Sequence, residues 1–408
     1  MKKTLALILA VLMLFACAAC GGNTGDTNSA TGSTAAKSDL KVGFIFLHDE
    51  NSTYDKNFID AAKEACQNMG VTMVQKTHIP ESNECYDAAV ELIEVEDCDI
   101  IFADSFGHES FLMKAAAEYP DVEFCHATGT QAHTNDYKNF HNAFASIYEG
   151  RYMAGVVAGL KLNEMIADGT ITADKAKMGY VGAFTFAEVI SGYTSFYLGA
   201  KSVCPTVTMD VKFTGSWYDE EKEKQTALAL INGGCVLISQ HADSMGAPTA
   251  CENNKVPNVS YNGSTASACP ETFLISSRIN WVPYFEYMIK QVQDGNDIDT
   301  DWVGTIDNGA VVLTDTGKNV AAGTADKLAE VEKGLKDGSV NVFDTKNFTV
   351  KGETLTSYMA DVDFDADNSF KKDTEVIENG IFMESKFRSG PYFDVQIDGI
   401  TLLDTNFG

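Results

Sequence analysis

The stretch KVGFIFLHDENSTYDKNFIDAAKEACQNMGVTMVQKTHI, residues 41–79, predicts a strand, a helix and a second strand in direct succession. Residues 42–46 form a continuous apolar run that is typical of a buried strand. Residues 55–68 have an apolar helical face and stop before Gly70, a common helix end. That face contains Phe58, Ala61, Ala62 and Ala65. Residues 71–79 predict the next strand.

The same alternation continues along most of the chain. Helices are predicted at 85–95 and 109–118, with strands at 100–103, 122–126 and 139–146. The rhythm then restarts with helix 148–160, whose many glycines and alanines favour close packing. It continues through strands 178–184, 207–213, 236–240 and 258–261 and helices 187–200, 220–232 and 247–253. Regular alternation of this kind predicts an α/β fold with parallel sheets and crossover helices, arranged as two doubly wound lobes.

The domain boundaries follow from this pattern. Residues 40–145 are assigned to lobe 1, and strand 273–278 with helix 282–292 is expected to return to it, within a range of about 273–300. Lobe 2 takes residues 146–272 and about 301–343. Several crossings would join the lobes through a hinge, and a ligand would lie in the cleft beyond the carboxyl ends of the strands. Residues 344–408 break the alternation and predict a mostly β or irregular extension packed on the body.

The amino terminus has the features of a bacterial export signal. Lys2 and Lys3 precede an apolar run at 5–16, which is too short to span a bilayer comfortably, and small residues then lead to Cys20. We expect residues 1–19 to be removed as a signal peptide and Cys20 to be lipidated. Cys17 is a rival cleavage point, and an ordinary secretory signal is the plainer alternative. Residues 20–39 then form a flexible tether that holds the protein at the outer face of the cell membrane.

Composition excludes some partners. The chain has 408 residues, an apolar fraction of 45% and a formal charge of -28. This length suits two lobes, and the acidic field would repel nucleic acid. Past the leader no segment is long and apolar enough to cross a membrane, so lipid would be the only membrane anchor.

Eight cysteines follow the predicted lipobox, namely Cys66, Cys85, Cys98, Cys125, Cys204, Cys235, Cys251 and Cys269. An even number in an exported protein permits disulfides, with Cys251 to Cys269 one conceivable pair. Several lie at the ends of apolar strands, which favours buried thiols. No histidine and cysteine cluster has the spacing of a zinc site, so no metal is expected.

No catalytic or cofactor motif is present. His241 stands alone at a strand end, where a structural histidine is the more common case. Neither GxxxxGK nor GxGxxG follows a strand, so a phosphate-binding loop is not predicted. The sequence therefore favours a non-enzymatic protein without a cofactor.

Five segments together resemble the basic membrane protein family of solute-binding lipoproteins. They are KVGFI at 41–45, YEGRYMAGVVAG at 148–159, GYVGAF at 179–184 with EVI at 188–190, SWYD at 216–219 with EKE at 221–223, and HADS at 241–244. The resemblance covers roughly residues 40–315 and implies a type I periplasmic-binding-protein fold. It also implies capture of a purine nucleoside or nucleobase for delivery to an ABC permease. Residues 47–53 depart from the Asp- and Gly-rich loop of the best-characterised nucleoside-binding branch.

A flat neutral ligand with a polar rim needs aromatic faces and fixed hydrogen-bonding groups. Three aromatic residues at predicted strand exits could supply faces, namely Phe106, Trp217 and Trp281, with core packing as the alternative for each. Five polar residues could supply rim contacts, with helix capping as the alternative. They are Asp49, Asn51, Glu188, Asp243 and Asn262. For Asp219, which precedes a run of glutamates, we favour a helix cap.

Other functions use the same features. A sensory lipoprotein would share the fold and the pocket, and so would a receptor for an amino acid or a sugar. An amino-acid receptor would usually place an arginine near the ligand, and Arg278 is the basic residue closest to a predicted strand exit. A surface hydrolase such as a nucleosidase would need a carboxylate cluster or a metal site in the cleft.

Overall fold

The structure, a computed structural model, describes residues 39–362 and 374–405. The predicted signal peptide at 1–19, the rival cleavage point Cys17, the lipidation site Cys20 and the tether up to residue 38 lie outside the described residues.

The strands and helices of the described chain are as follows. The strands are β1 (Lys41–Ile45), β2 (Thr72–Lys76), β3 (Ile100–Ala103), β4 (Glu123–Ala127), β5 (Phe140–Ala145), β6 (Lys177–Gly182), β7 (Thr208–Phe213), β8 (Leu237–Gln240), β9 (Asn258–Tyr261), β10 (Phe273–Ile279), β11 (Asp301–Gly304), β12 (Val311–Leu313), β13 (Met359–Ala360), β14 (Thr374–Glu375), β15 (Ile377–Glu378), β16 (Ile381–Phe382) and β17 (Ile400–Leu402). The α-helices are α1 (Thr53–Met69), α2 (Asn83–Glu94), α3 (Glu109–Glu118), α4 (Ile147–Ala167), α5 (Ala187–Val203), α6 (Glu220–Asn232), α7 (Gly246–Asn254), α8 (Val282–Asp294) and α9 (Thr324–Asp337).

Two sheets form the centres of the two lobes. The first sheet has the order β11-β5-β4-β3-β1-β2, and all its pairs are parallel. The second has the order β12-β10-β9-β8-β6-β7-β17 and is parallel except for the pair of β10 with β12. The predicted α/β fold with parallel sheets is confirmed, and the carboxyl ends of several strands in each sheet are available for a ligand site.

Local chemistry sets the ends of α1 and α6. The Ser52 side chain accepts the Asp55 N–H at the start of α1, and Gly70 ends this helix at φ 67°. Asp219 caps α6 by accepting the N–H of Lys222 at 3.0 Å, as the sequence predicted.

The glycines of α4 allow very close contact with α5. A Cβ on Gly155 would overlap the carbonyl oxygen of Phe196, and one on Gly199 would overlap the carbonyl oxygen of Tyr152. The two backbones therefore touch directly, which a larger side chain at either glycine would prevent. The small residues of this helix have the packing role that the sequence predicted.

Within residues 39–362 and 374–405 the chain passes between the lobes at three places. The ranges 273–300 and 301–343 are therefore divided between the lobes differently from the predicted domain boundaries. Strand β10 lies in the second sheet, although 273–300 was assigned to lobe 1; α8, which follows it, packs on α1 in lobe 1. Strand β11 lies in the first sheet, although 301–343 was assigned to lobe 2. Each crossing between the lobes occurs in the connection after a strand. The hydrophobic pattern of the sequence shows where that strand ends, but it does not show which lobe the next element joins.

The segment after residue 343 is more integrated than an appended tail. β17 adds a strand beside β7, with Ile400 opposite Met209. Phe393 stacks on Phe343 with ring centroids 4.3 Å apart. The described part of this segment otherwise contains short β pairs and irregular chain.

Trp281 lies in the hydrophobic core of lobe 1, which is the core-packing alternative given for it in the sequence analysis. Its side chain is 1% exposed and stacks on Phe58 with ring centroids 4.4 Å apart. Phe102 and Phe144 pack beside it. The residue follows a strand exit, but the start of α8 turns the indole into the hydrophobic core.

Replacing this indole should therefore affect stability more than ligand binding. We expect Trp281→Ala to lower the free energy of unfolding by about 3–5 kcal/mol because it leaves a large cavity. Urea denaturation of the exported protein would measure the change, with Tyr137→Ala as an aromatic control at a 40% exposed position. A loss below about 1 kcal/mol for Trp281→Ala would contradict the core assignment.

Candidate functional site

One pocket lies between the two lobes, at the carboxyl ends of β1, β3 and β4 on one side and of β6, β7 and β8 on the other. Its empty volume is about 780 Å³ including the space at its mouth, within the range of roughly 300–1,000 Å³ for small-molecule pockets. Lobe 1 contributes Leu47, His48, Tyr54, Asp55, Ser105, Phe106, Thr128 and Thr130, and lobe 2 contributes Phe186, Ala187, Glu188, Trp217, His241 and Asp243. Arg388 and Pro391 from the carboxyl-terminal segment complete the lining.

The lobes contact each other beside this pocket. At the start of α1, Thr53 donates its N–H and its hydroxyl to the carbonyl of Asp243, at 3.0 and 3.1 Å. One turn later, the Asn57 amide donates to the carbonyl of Ile279 at 2.6 Å. These bonds hold the pocket walls at a set distance.

Aromatic rings from both lobes form one side of the pocket. Phe106 and Phe186 face each other across the cleft with centroids 5.0 Å apart, and Trp217 lies 6.0 Å from Phe186. Phe184 stacks behind Phe186. A planar ligand between Phe106 and Phe186 would need a spacing of about 7 Å, two contacts of roughly 3.5 Å each. The ligand can therefore stack on this cluster as it stands, and insertion between the two phenyl rings would require them to separate.

Asp55 and Asp104 are two neighbouring buried acids of lobe 1, here termed the acid pair. Asp55 accepts hydrogen bonds from the backbone N–H of His48 at 2.6 Å and from the Ser52 hydroxyl at 2.6 Å. Burial alone would raise the pKa of Asp55, but the hydrogen bonds from His48 and Ser52 hold it below its usual range. Burial and the nearby charge of Asp55 raise the pKa of Asp104 well above its usual range. Of these two acids, Asp104 is therefore the one whose protonated form the fold favours.

In lobe 2 a second polar group is built around Glu188. One carboxylate oxygen lies 3.0 Å from the His241 ring nitrogen, and the other accepts the Tyr261 hydroxyl at 3.3 Å. Arg151 of α4 lies over the Tyr261 ring at 4.2 Å, and burial lowers its pKa to about 10. Arg151 thus supports the pocket from behind, through the ring of Tyr261.

Asp243 is a buried acid at the pocket wall. Its side chain is only 4% exposed. Burial and the nearby charge of Glu223 raise the pKa of Asp243 well above its usual range, while the Asn262 side chain opposes this shift by hydrogen bonding. A ligand that donates an N–H or O–H to Asp243 would add a hydrogen bond that stabilises the ionised form of this side chain.

Two further glutamates position the loops that line the pocket. Glu109 accepts the N–H groups of Thr130 and Gln131 at 2.8 and 2.9 Å. Glu223 accepts the Ser244 N–H at 3.0 Å, and burial raises its pKa to about 7. Each loop is held by a buried carboxylate, which rigidifies the pocket.

The structure brings together four of the eight predicted ligand residues and places the other four elsewhere. Phe106, Glu188, Trp217 and Asp243 line the pocket. Asp49 and Asn51 bond to each other in the turn before α1, so their side chains stabilise the turn. Asn262 is buried next to Asp243 at φ 65° without lining the pocket. Trp281, as described, is in the core.

Several pocket residues were missed by sequence reasoning. Phe186 follows β6 and Thr128 follows β4, so the strand-exit rule that selected the other candidates could have found them. His48 and Asp55 flank the loop in which Asp49 was chosen instead. The alternative basic residue Arg278 donates to the Asn57 amide oxygen at 3.2 Å and lies outside the pocket.

The remaining chemical features of the described chain are simple. All eight described cysteines are buried and free, which is the outcome that the strand-end positions of several of them favoured. No group of three or more histidine, cysteine, aspartate or glutamate side chains in residues 39–362 and 374–405 is arranged to hold a metal ion. Within the same residues, no helix has the length and apolar character of a membrane span.

Two parallel α/β lobes with a shared pocket at their strand ends have the periplasmic-binding-protein architecture. Residues 45–345 match the Bmp family, described as ABC transporter substrate-binding protein PnrA-like. The chain belongs to this family, which is a group of extracytoplasmic solute-binding proteins and not an enzyme class.

Three curated proteins show what this chain is similar to. A purine-binding protein of Brucella abortus is 34% identical over 269 residues, 65% of this chain and 72% of its own length. A Haloferax volcanii protein with a glucose-binding ABC transporter name is 30% identical over 248 residues, 60% of this chain and 59% of its own length. The ABC transporter nucleoside-binding protein BmpA of Lactococcus lactis is 24% identical over 354 residues, 84% of this chain and 92% of its own length.

Solved structures show the same fold. An ABC transporter solute-binding protein of Aeropyrum pernix has a TM-score of 0.62 at 16% identity and covers 77% of this chain and 94% of its own.

The acid pair predicts a pH dependence of stability. A carboxyl group whose pKa is higher in the folded than in the unfolded protein stabilises the fold while it is protonated. This contribution is fully present below the unfolded-state pKa of about 3.9, and it is lost as the pH rises through the folded-state pKa. In Asp104→Asn the side-chain amide oxygen can still accept the Leu47 N–H, which is bonded to Asp104 at 3.2 Å in the native protein, and the amide cannot ionise. We therefore expect the free energy of unfolding of the variant to rise relative to that of the wild type between pH 4 and pH 8. The difference should grow by up to about 1.4 kcal/mol per pH unit.

Urea titrations at several pH values would measure this difference, with Asp121→Asn as a surface-acid control. A difference between Asp104→Asn and wild type that does not change with pH would show that Asp104 is ionised in the folded protein.

Proposed function

We propose that this protein is the receptor of an ABC importer and captures a purine nucleoside or nucleobase in the interlobe pocket for delivery to the permease. The observation that carries the proposal is the meeting of Phe106, Phe186 and Trp217 with Glu188 and Asp243 at the strand ends of two lobes. A flat heterocycle with donor groups at its edge matches both parts of that lining, the aromatic rings through its face and the acids through its edge.

The aromatic cluster supports the first half of this argument. Its three rings come from different loops, and Trp217 is packed by Phe184 at a centroid distance of 4.9 Å. A base that stacks on such supported rings buries apolar surface without ordering mobile side chains. Base–aromatic stacking contributes about 1–3 kcal/mol per base in other proteins.

The carboxylates support the second half. Carboxyl oxygens accept hydrogen bonds, so Glu188 and Asp243 fit ring or exocyclic N–H groups and ribose hydroxyls. Asp55 adds a third acceptor on the opposite lobe. The same acids disfavour ligands that carry several negative charges, such as nucleotides.

Ligand binding would also promote the closed arrangement. A molecule that contacts Phe106 in lobe 1 and Trp217 in lobe 2 binds better when the lobes are together, and so it shifts their equilibrium toward closure. The closed surface would be the form that the permease recognises.

A sugar is the second candidate ligand. One relative has a glucose-binding name, and sugars also combine ring stacking with carboxylate contacts. The purine is favoured because three aromatic rings gather on one side of the pocket.

The ligand class can be tested by thermal shift of the exported protein with nucleosides, bases, sugars and amino acids. A ligand at 1,000 times its Kd should stabilise the protein by about 4.1 kcal/mol. We expect hypoxanthine, guanine or their nucleosides to raise the melting temperature, and Trp217→Ala to weaken that ligand by roughly 5- to 150-fold through lost stacking.

Tyr137→Ala, which removes an exposed aromatic ring, should leave the affinity unchanged. Stabilisation by sugars or amino acids alone would reject the purine proposal. Unchanged affinity in Trp217→Ala would remove this residue from the site.

We also propose that Cys20 carries the lipid that anchors the protein at the extracytoplasmic face of the cell membrane. The support is the sequence of small residues before this cysteine, after an apolar run and two lysines. In the exported full chain, Cys20→Ala should abolish lipid attachment, whereas Cys17→Ala should retain it. The intact mass of the membrane-extracted protein would show cleavage before Cys20 plus the acyl groups. Lipid retained in Cys20→Ala and lost in Cys17→Ala would move the anchor to Cys17.

A further inference from the structure

Residues 384–392, here termed the clasp, lie outside the family match at 45–345 and reach the ligand pocket. The clasp begins on lobe 2, where Glu384 accepts the Ser191 hydroxyl of α5 at 2.6 Å. It ends next to Phe393, which stacks on Phe343. Both ends are therefore attached to the body of the protein.

The middle of the clasp contacts lobe 1. Ser389 donates its N–H and its hydroxyl to Asp301 of β11, at 2.8 and 2.7 Å. Gly390 lies so close to the loop after β4 that an added Cβ would be 2.8 Å from the Gly129 carbonyl oxygen and 3.2 Å from that of Thr128. Thr128 itself has φ 61°, an uncommon conformation for a β-branched residue. The clasp thus fits against both lobes at the edge of the pocket.

Arg388 is the centre of the clasp and is held rigidly. Its side chain is 5% exposed and donates to the carbonyls of Gly390 at 3.0 Å, Asp361 at 3.3 Å and Pro391 at 2.7 Å. A guanidinium has five N–H donors, one on Nε and two on each terminal nitrogen. The three carbonyls use one N–H of each nitrogen, so one N–H of each terminal nitrogen has no acceptor among the described residues. Among the described lining residues, Arg388 is the only arginine or lysine.

An arginine recognises the two kinds of purine differently. A 6-oxopurine presents two acceptors, O6 and N7, on one edge, and arginine pairs with that edge through two hydrogen bonds. The same edge of a 6-aminopurine presents the N6 amino group, which would oppose the N–H donors of arginine. Carboxylates such as Glu188 and Asp243 are left to accept from the N–H groups and hydroxyls of the ligand.

We infer that Arg388 is a specificity-determining residue that donates to the O6 and N7 edge of a 6-oxopurine base or nucleoside, with the clasp as a wall of the binding site. The inference rests on the proposed purine-binding function and narrows its ligand class.

The test is a comparison of Kd values for guanosine, adenosine and 7-deazaguanosine by calorimetry on the exported protein. The wild type should bind guanosine more tightly than adenosine, and loss of the N7 acceptor in 7-deazaguanosine should weaken binding. Arg388→Met should reduce the guanosine-to-adenosine preference by roughly ten- to a hundredfold, the effect of losing a charged hydrogen bond. Arg388→Lys keeps the charge but not the planar fork, and should lose part of the preference.

Arg278→Met is the matched control, because this arginine lies outside the pocket and bonds to Asn57. It should leave the ratio of the two Kd values unchanged. An equal weakening of both nucleosides in Arg388→Met and Arg388→Lys would mean that the residue only holds the clasp, and this would overturn the inference. Unchanged affinities would overturn it too. If the wild type binds no purine at all, the proposed function fails before this inference is reached.

Discussion

The contact between the start of α1 and the second lobe is the constraint on which the site depends. Thr53 and Asn57 donate to the carbonyls of Asp243 and Ile279, so two strand exits of lobe 2 are hydrogen-bonded to one helix of lobe 1. With these bonds in place, the loops after six strands of two separate sheets face one pocket. A ligand that contacts both walls adds to the same closed arrangement.

The cost of burying acids near this contact explains much of the surrounding polar structure. Hydrogen bonds from His48 and Ser52 hold the pKa of Asp55 below its usual range. Burial, together with the nearby charge of Asp55, raises the pKa of Asp104. Glu188 is paired with His241 and Tyr261. The pocket can thus offer hydrogen-bond acceptors to a neutral ligand while its acids remain compensated in the folded protein.

The carboxyl-terminal segment adds to the two lobes in three ways. It extends the second sheet through β17, packs Phe393 on Phe343 and inserts Arg388 and Pro391 at the pocket edge. A segment that lies outside the family match therefore lines part of the interlobe pocket. The family match accounts for the two lobes and their cleft, whereas Arg388 and Pro391 at one wall belong to a segment outside that match.

The amino-acid sequence by itself determined the order and type of most elements and the parallel α/β class, because these depend on local periodicity. It also located Phe106, Glu188, Trp217 and Asp243, since the carboxyl ends of parallel strands meet at one edge of a sheet. It could not place Trp281 or Arg388. Both depend on packing between distant residues: the indole turns into a core made by Phe58, and the guanidinium reaches the pocket through contacts of the clasp with β11 and the loop after β4. Only the tertiary structure decided the positions of these two side chains. The direction of a side chain after a strand exit and a contact between distant residues leave no periodic pattern in the sequence.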